Sequence, residues 1–256
     1  MQWSVIFKKE LLENWRNFKW IWVPIVFILF GIMDPITTYY MPKIIDAVGG
    51  LPEGAQINIP QPPPEQALLM SINEYSSLGV LMIVLITMGI ISGEKKSGVA
   101  ELILSRPVSF TNYITAKWAS SILLILVSFI TGMMFSWYYV NLLFGDLSLS
   151  QVFGAIFIYG FWLILVVSIT MLISTLFKIP GLVGFISVLI VIFIHMLTSI
   201  FRHILTYSPA NLSSYVSAYL YTGEMTADMW STIFVTLIGI VLLLTSSIFI
   251  LRNREI

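Results

Sequence analysis

Charge is scarce in this chain. Its 256 residues include only 10% Asp, Glu, Lys and Arg, against about 25% in an ordinary soluble domain. So few charges cannot clothe the surface of a soluble fold this long. Cysteine is absent, which excludes a disulfide framework and any thiolate metal site. Two histidines are too few for a typical histidine-built metal centre. Net charge is zero, so nucleic acid would find no electrostatic source of affinity. What the chain has instead is 58% apolar residues, and the length leaves room for about six helical spans with short connections. An all-α integral membrane protein follows.

Six apolar stretches, near residues 18–33, 75–92, 118–143, 152–177, 180–201 and 229–251, approach the ~20 residues needed to cross the hydrocarbon as helices. The first is short, with Pro24 inside it, and borrows Phe18 and the stem of Lys19, whose amine can snorkel to the interface. A cleaved signal peptide does not fit, because no small-residue cleavage site follows. Charge tests the map independently. With the N-terminus in the cytoplasm, 11 of the 13 basic residues fall on the inner side; only Lys43 and Arg202 do not. The outer segments hold Asp34, Asp46, Glu53, Glu65, Glu74, Asp146, Glu224 and Asp228. This bias fixes a multi-pass topology in the cell membrane with both termini cytoplasmic.

Residues 1–18 precede the spans. Trp3, Phe7, Leu11, Trp15 and Phe18 recur at helical spacing, with Lys8, Lys9, Glu13, Arg16 and Lys19 mostly opposite. That pattern describes an amphipathic helix lying in the interface against membrane lipid, although Glu10 and Asn14 interrupt its apolar face. Residues 34–74 read as a long external loop, in which Pro60–Pro64 should be extended and residues 40–62 have room for a hairpin. A second external loop, 203–228, carries Tyr215, Tyr219 and Tyr221, and a short helix over Ser213–Tyr221 suits the outer interface.

The segment 93–117 is the one long cytoplasmic connection between spans. Ser97 can cap a short helix whose first turn holds Glu101 and whose apolar face holds Val99, Leu102 and Ile103. Pro107 ends it and pushes Arg106 out of helical geometry. Such a helix, displayed below the membrane, is a docking element for another protein, or else a connector resting on the lipid.

The run Glu94-Lys95-Lys96-Ser97-Gly98-Val99-Ala100-Glu101-Leu102-Ile103-Leu104-Ser105-Arg106-Pro107-Val108-Ser109, followed by Lys117, resembles the signature of type-2 ATP-binding-cassette exporter permeases. Phe110 stands where that family usually has Arg. Among these the chain is most similar to permeases of nitrous-oxide-reductase maturation and of bacterial peptide export. The resemblance implies one permease domain over residues 1–256, with a coupling helix over Gly93–Ser105 that inserts into a separate ATPase. Gly93, Glu94, Lys95, Lys96, Gly98, Glu101, Leu102, Leu104 and Ser105 would form that contact, and residues 3–18 would supply a second. It also implies two ATPase subunits, carrying ATP and Mg, and a second permease copy or paralogue.

No phosphate-cradling loop occurs in the chain itself. Gly93 and Gly98 have the spacing of its two glycines, but Val99 stands where the lysine should be. The chain is therefore expected to be a transport subunit with no cofactor of its own, not an enzyme. Polar groups at depth are few. His195, Ser199 and Arg202 share one face of the fifth span and are candidates for an intramembrane site. Ser168, Thr170, Ser174 and Thr175 read as helix-packing groups, and Gly89 with Gly93 as a close-approach pair. The apolar, aromatic spans favour a hydrophobic or amphipathic cargo such as a peptide or lipid-like molecule. Assembly of a periplasmic copper enzyme, or a sensor or scaffold role without transport, are the alternatives.

Overall fold

The computed structural model describes residues 2–48, 60–104 and 108–253, apart from the side chains of 46–48 and 104. Among them all regular structure is helical. An amphipathic α1 (Gln2–Arg16) leads into α2 (Lys19–Val48). The second span is built in pieces: α3 (Pro64–Glu74), a π-helical turn (Tyr75–Gly79), α4 (Val80–Thr87) and α5 (Ser92–Lys96). A short α6 (Val99–Leu104) precedes α7 (Phe110–Leu143), α8 (Leu149–Leu176) and α9 (Pro180–Ile200). A 3-10 turn (Pro209–Asn211), α10 (Leu212–Thr222) and α11 (Ala227–Asn253) complete the order. Among the described residues, six helical stretches are long and apolar enough to cross a membrane. The chain is a multi-pass membrane protein.

The first span is not the short one expected. Residues 34–48, read as external loop, continue α2, and α3 adds eleven residues to the second span. The hairpin considered over 40–62 is helical as far as Val48, and residues 49–59 lie outside the described residues. Pro35 and Pro42, which fall in the segment read as external loop, lie inside α2 together with Pro24. Proline removes one helical donor and frees the carbonyl four residues earlier. In an apolar medium a neighbouring helix can satisfy that carbonyl. Ser71 Oγ of α3 donates to the Gly31 carbonyl at 2.7 Å, the acceptor that Pro35 cannot serve. Ser71 Oγ also meets Ser136 Oγ of α7 at 2.8 Å. Pro64 opens α3 where a missing N–H costs nothing, and Pro63 before it is extended, at φ −64° and ψ 157°.

Close approach fixes the crossing of α2, α7 and the π turn. The Tyr75 hydroxyl donates to the Phe27 carbonyl at 2.6 Å. A Cβ on Gly132 would stand 2.6 Å from that carbonyl oxygen and nearer still to the Tyr75 hydroxyl. Next to Tyr75, Ser76 Oγ bonds the Tyr159 hydroxyl of α8 at 2.8 Å.

The centre of the bundle is α8, buried on nearly every face from Val152 to Thr175. It packs against α7, α9, α10 and α11. Ser128, Ser168, Thr170, Thr232, Thr236 and Ser247 are all buried. Each donates to the carbonyl four residues back in its own helix, which lets small polar residues line helix contacts without an unpaired group. By contrast α11 leaves Phe234, Ile238, Val241, Leu242 and Phe249 outward, the composition expected of a lipid face.

Candidate coupling site and membrane groove

A helix of 34 residues is roughly 51 Å long at 1.5 Å per residue, well beyond ~30 Å of hydrocarbon. The helix therefore extends beyond the bilayer core, and α1 lies across its first turns. Trp3 Nε1 donates to Thr115 Oγ1 at 3.1 Å, and Asn14 Nδ2 to Ser120 Oγ at 3.3 Å. Between these two contacts sits Lys117, with its side chain only 2% exposed. Its ammonium lies 2.7 Å from Glu10 of α1 and 2.9 Å from Glu94 of α5. The Tyr113 hydroxyl donates to the other Glu94 oxygen.

Lys9 bridges the same acids from outside, at 2.9 Å from Glu94, 3.1 Å from Glu10 and 3.2 Å from Glu13. Burial opposes its charge, but the Glu94 hydrogen bond and the nearby Glu10 and Glu94 charges outweigh it, so Lys9 is held well above the ordinary lysine range. Carboxylate oxygens of Glu10, Glu13 and Glu94 stand within 4.8 Å of one another, and the two lysines are their counter-charge.

Glu10 and Asn14, which interrupt the apolar stripe of α1, thus make its attachments. Among the stripe residues, Trp3 stacks on Phe7 with ring centroids 4.9 Å apart. Phe7 and Leu11 are half-buried, while Trp15 is exposed. Phe18 turns the chain from α1 into α2 at φ +55°, a left-handed conformation that costs a bulky residue about 1–2 kcal/mol.

The last piece of the second span, α5, is pinned on two sides. Ser174 Oγ, at the end of α8, accepts from Ser92 N at 2.8 Å and Ile91 N at 3.2 Å, so a neighbouring helix supplies the N-terminal cap of α5. Lys95 Nζ donates to the Thr175 carbonyl at 2.5 Å. Glu94 is engaged by Lys117 on the other side. Ser97 does not cap α6 as expected. Its hydroxyl turns back to the Gly93 and Glu94 carbonyls, at 3.0 and 3.2 Å, closing α5 instead. Gly98 follows at φ +76°, a conformation that glycine adopts without strain.

In α6, Ile103 packs on the cluster of Ile91, Tyr113 and Leu251, and Ala100 is buried. Lys96, Val99, Glu101 and Leu102 are exposed. Of the residues expected in a docking contact, Glu94 and Lys95 therefore face into the chain, while Lys96, Glu101 and Leu102 face out. The expected end of the helix at Ser105, Arg106 and Pro107 lies outside the described residues. The roles of Ser174, Thr175 and Tyr113 had no local signal; that of Glu10 was signalled by its place on the apolar face.

His195, Ser199 and Arg202 are brought together. A groove of about 630 Å³ between the π turn, α4 and α9 is lined by Ser76, Ser77, His195 and Ser199 among apolar residues. A smaller cavity of about 200 Å³ shares His195 and Ser199 and adds Arg202 and Asn211. The His195 ring meets Trp162 edge-on at 4.8 Å. The His195 Nε2 and Trp162 Nε1 atoms are both buried with no hydrogen-bond partner among the described residues. Gly89 and Gly93, by contrast, approach no helix: a Cβ on either would meet nothing within 4 Å.

Comparison with known proteins agrees with this architecture. The chain is 32% identical to the uncharacterized transmembrane protein YxlG of Bacillus subtilis (strain 168), over 98% of its own length and 97% of the relative's. Residues 4–256 match the family described as ABC-2 family transporter protein, whose membrane components generally work with ATP-binding-cassette ATPase subunits. The chain therefore belongs to the ABC-2 family of membrane transport components.

Proposed function

We propose that this chain is the permease subunit of an ATP-driven exporter of hydrophobic or amphipathic cargo. The side holding α1, α5 and α6 is the cytoplasmic side of the cell membrane, and both termini lie there. The whole chain acts as one permease domain, and two copies, or this chain and a paralogue, work with two ATPase subunits that carry the ATP and Mg. The ATPase docks on residues 93–105 through Lys96, Glu101 and Leu102.

One observation carries the reading. α5 is fixed to α8 by Ser174 and Thr175 and to α7 by Lys117, while α6, one turn away, leaves Glu101 and Leu102 exposed. A push on α6 would therefore reach two spans through short polar contacts. The apolar groove beside His195 supports a hydrophobic or amphipathic cargo.

The test is co-purification of the ATPase with the tagged chain, paired with uptake of a fluorescent amphiphile into inverted vesicles. Glu101→Lys should lose both, and Asp146→Lys, on the opposite side, should keep both. Normal association and transport in Glu101→Lys would refute the assignment.

A further inference from the structure

A third cavity lies between α1, the α4–α5 junction and α7. Its volume, about 590 Å³, falls within the ~300–1,000 Å³ range of small-molecule sites. One wall is apolar, with Leu85, Ile86, Met88 and Leu124. Gly89 and Gly93 also line it, and a Cβ on either would meet nothing within 4 Å, so this wall is open to an occupant.

The other wall is charged, and its charges are unequal in one respect. Lys9 and Lys117 are held by Glu10, Glu13 and Glu94 at 2.7–3.2 Å. Lys19 is half-buried, lines the same cavity, and has no hydrogen bond or ion pair among the described residues. Glu13 and Glu10 attract it only from beyond contact distance. A half-buried ammonium without a contacting anion is costly. Lys19 is the first residue of α2, a helix long and apolar enough to span, and it shares the cavity with a wall of aliphatic side chains.

We propose that this cavity binds one phospholipid from the adjoining leaflet, with its phosphodiester on Lys19 and an acyl chain along Leu85, Met88 and Leu124. A phosphate oxygen gives Lys19 the charge-assisted bond it lacks, and the glycines leave room for the glycerol. Glu13 lines the same cavity and would receive the amine of a zwitterionic head, so both anionic and zwitterionic phospholipids fit. The proposal requires that the chain span a membrane and is independent of the direction or cargo of transport.

Native mass spectrometry of the full chain, purified in detergent, tests it by titration with four probes. Phosphatidylglycerol and phosphatidylethanolamine carry the phosphate with chains, diacylglycerol the chains alone, and glycerophosphate the head alone. One phospholipid per chain should be retained, of either or both kinds, with diacylglycerol and glycerophosphate at least tenfold weaker. Lys19→Gln and Gly89→Leu should each weaken retention about tenfold, and Arg16→Gln, at an exposed basic residue outside the cavity, should not. If Gly89→Leu does not fold, Lys19→Gln decides. Retention unchanged in Lys19→Gln, an equal loss in Arg16→Gln, or equal binding of diacylglycerol would overturn the proposal.

Discussion

Lys117 and Glu94 stand 2.9 Å apart across the junction of α7 and α5, and the lysine side chain is almost wholly enclosed. Removing the cation leaves two half-buried carboxylates, Glu94 and Glu10, competing for Lys9 alone. Breaking a buried pair by deleting one partner costs about 3–5 kcal/mol. Lys117→Met should therefore lower the thermal unfolding midpoint sharply and expose α1 to limited proteolysis. Lys9 is 44% exposed, where ion pairs are worth about 0–1 kcal/mol, so Lys9→Met should move the midpoint little. Equal effects from the two would mean that the enclosed lysine is not the clamp.

The cap that Ser174 provides to α5 can be removed alone. Ser174→Ala strips the acceptor from the N–H groups of Ser92 and Ile91, a loss of roughly 1–2 kcal/mol. Hydrogen exchange should quicken in residues 91–97 while the middle of α8 stays protected. Unchanged exchange in that segment would show that α5 is held by its other contacts.

Two glycines make a steric contrast. Gly132→Ala drives a methyl into the Phe27 carbonyl and the Tyr75 hydroxyl, and overpacking of this kind costs about 1–3 kcal/mol or more. Gly89→Ala meets nothing and should leave the unfolding midpoint where it was. Thermal unfolding in one detergent compares them directly, and a stable Gly132→Ala would mean the crossing of α2 and α7 is looser than described.

Orientation is open to labelling. Ser97 and Asp146 are both exposed and lie at opposite ends of the bundle. In intact cells a cysteine at Ser97 should resist an impermeant thiol reagent and one at Asp146 should react. The opposite pattern would invert the topology.

Much of the fold was legible in the sequence because lipid imposes a simple rule: every backbone group must be paired, so apolar length translates into helix. The rule also explains the errors. Pro35 reads as a break until Ser71, thirty-six residues later, is seen to serve the carbonyl it frees. Ser97 has the residue type of an N-cap, but its hydroxyl turns back to α5, while the cap of α5 comes from Ser174, 82 residues away. The charges from which a topology is proposed were plain. Their pairing was not, because Glu10, Glu94 and Lys117 are distant in sequence and only helix packing brings them together.

The docking of an ATPase on α6 is the central claim, and photo-crosslinking from this helix tests it most directly. A photoreactive residue is placed at Glu101, Leu102 or Asp146 in turn, in membranes that contain the candidate ATPase. The expected result is a crosslinked permease–ATPase band from positions 101 and 102 and none from 146. A band from 146, or an ATPase that co-purifies with the chain yet crosslinks from neither 101 nor 102, would contradict it.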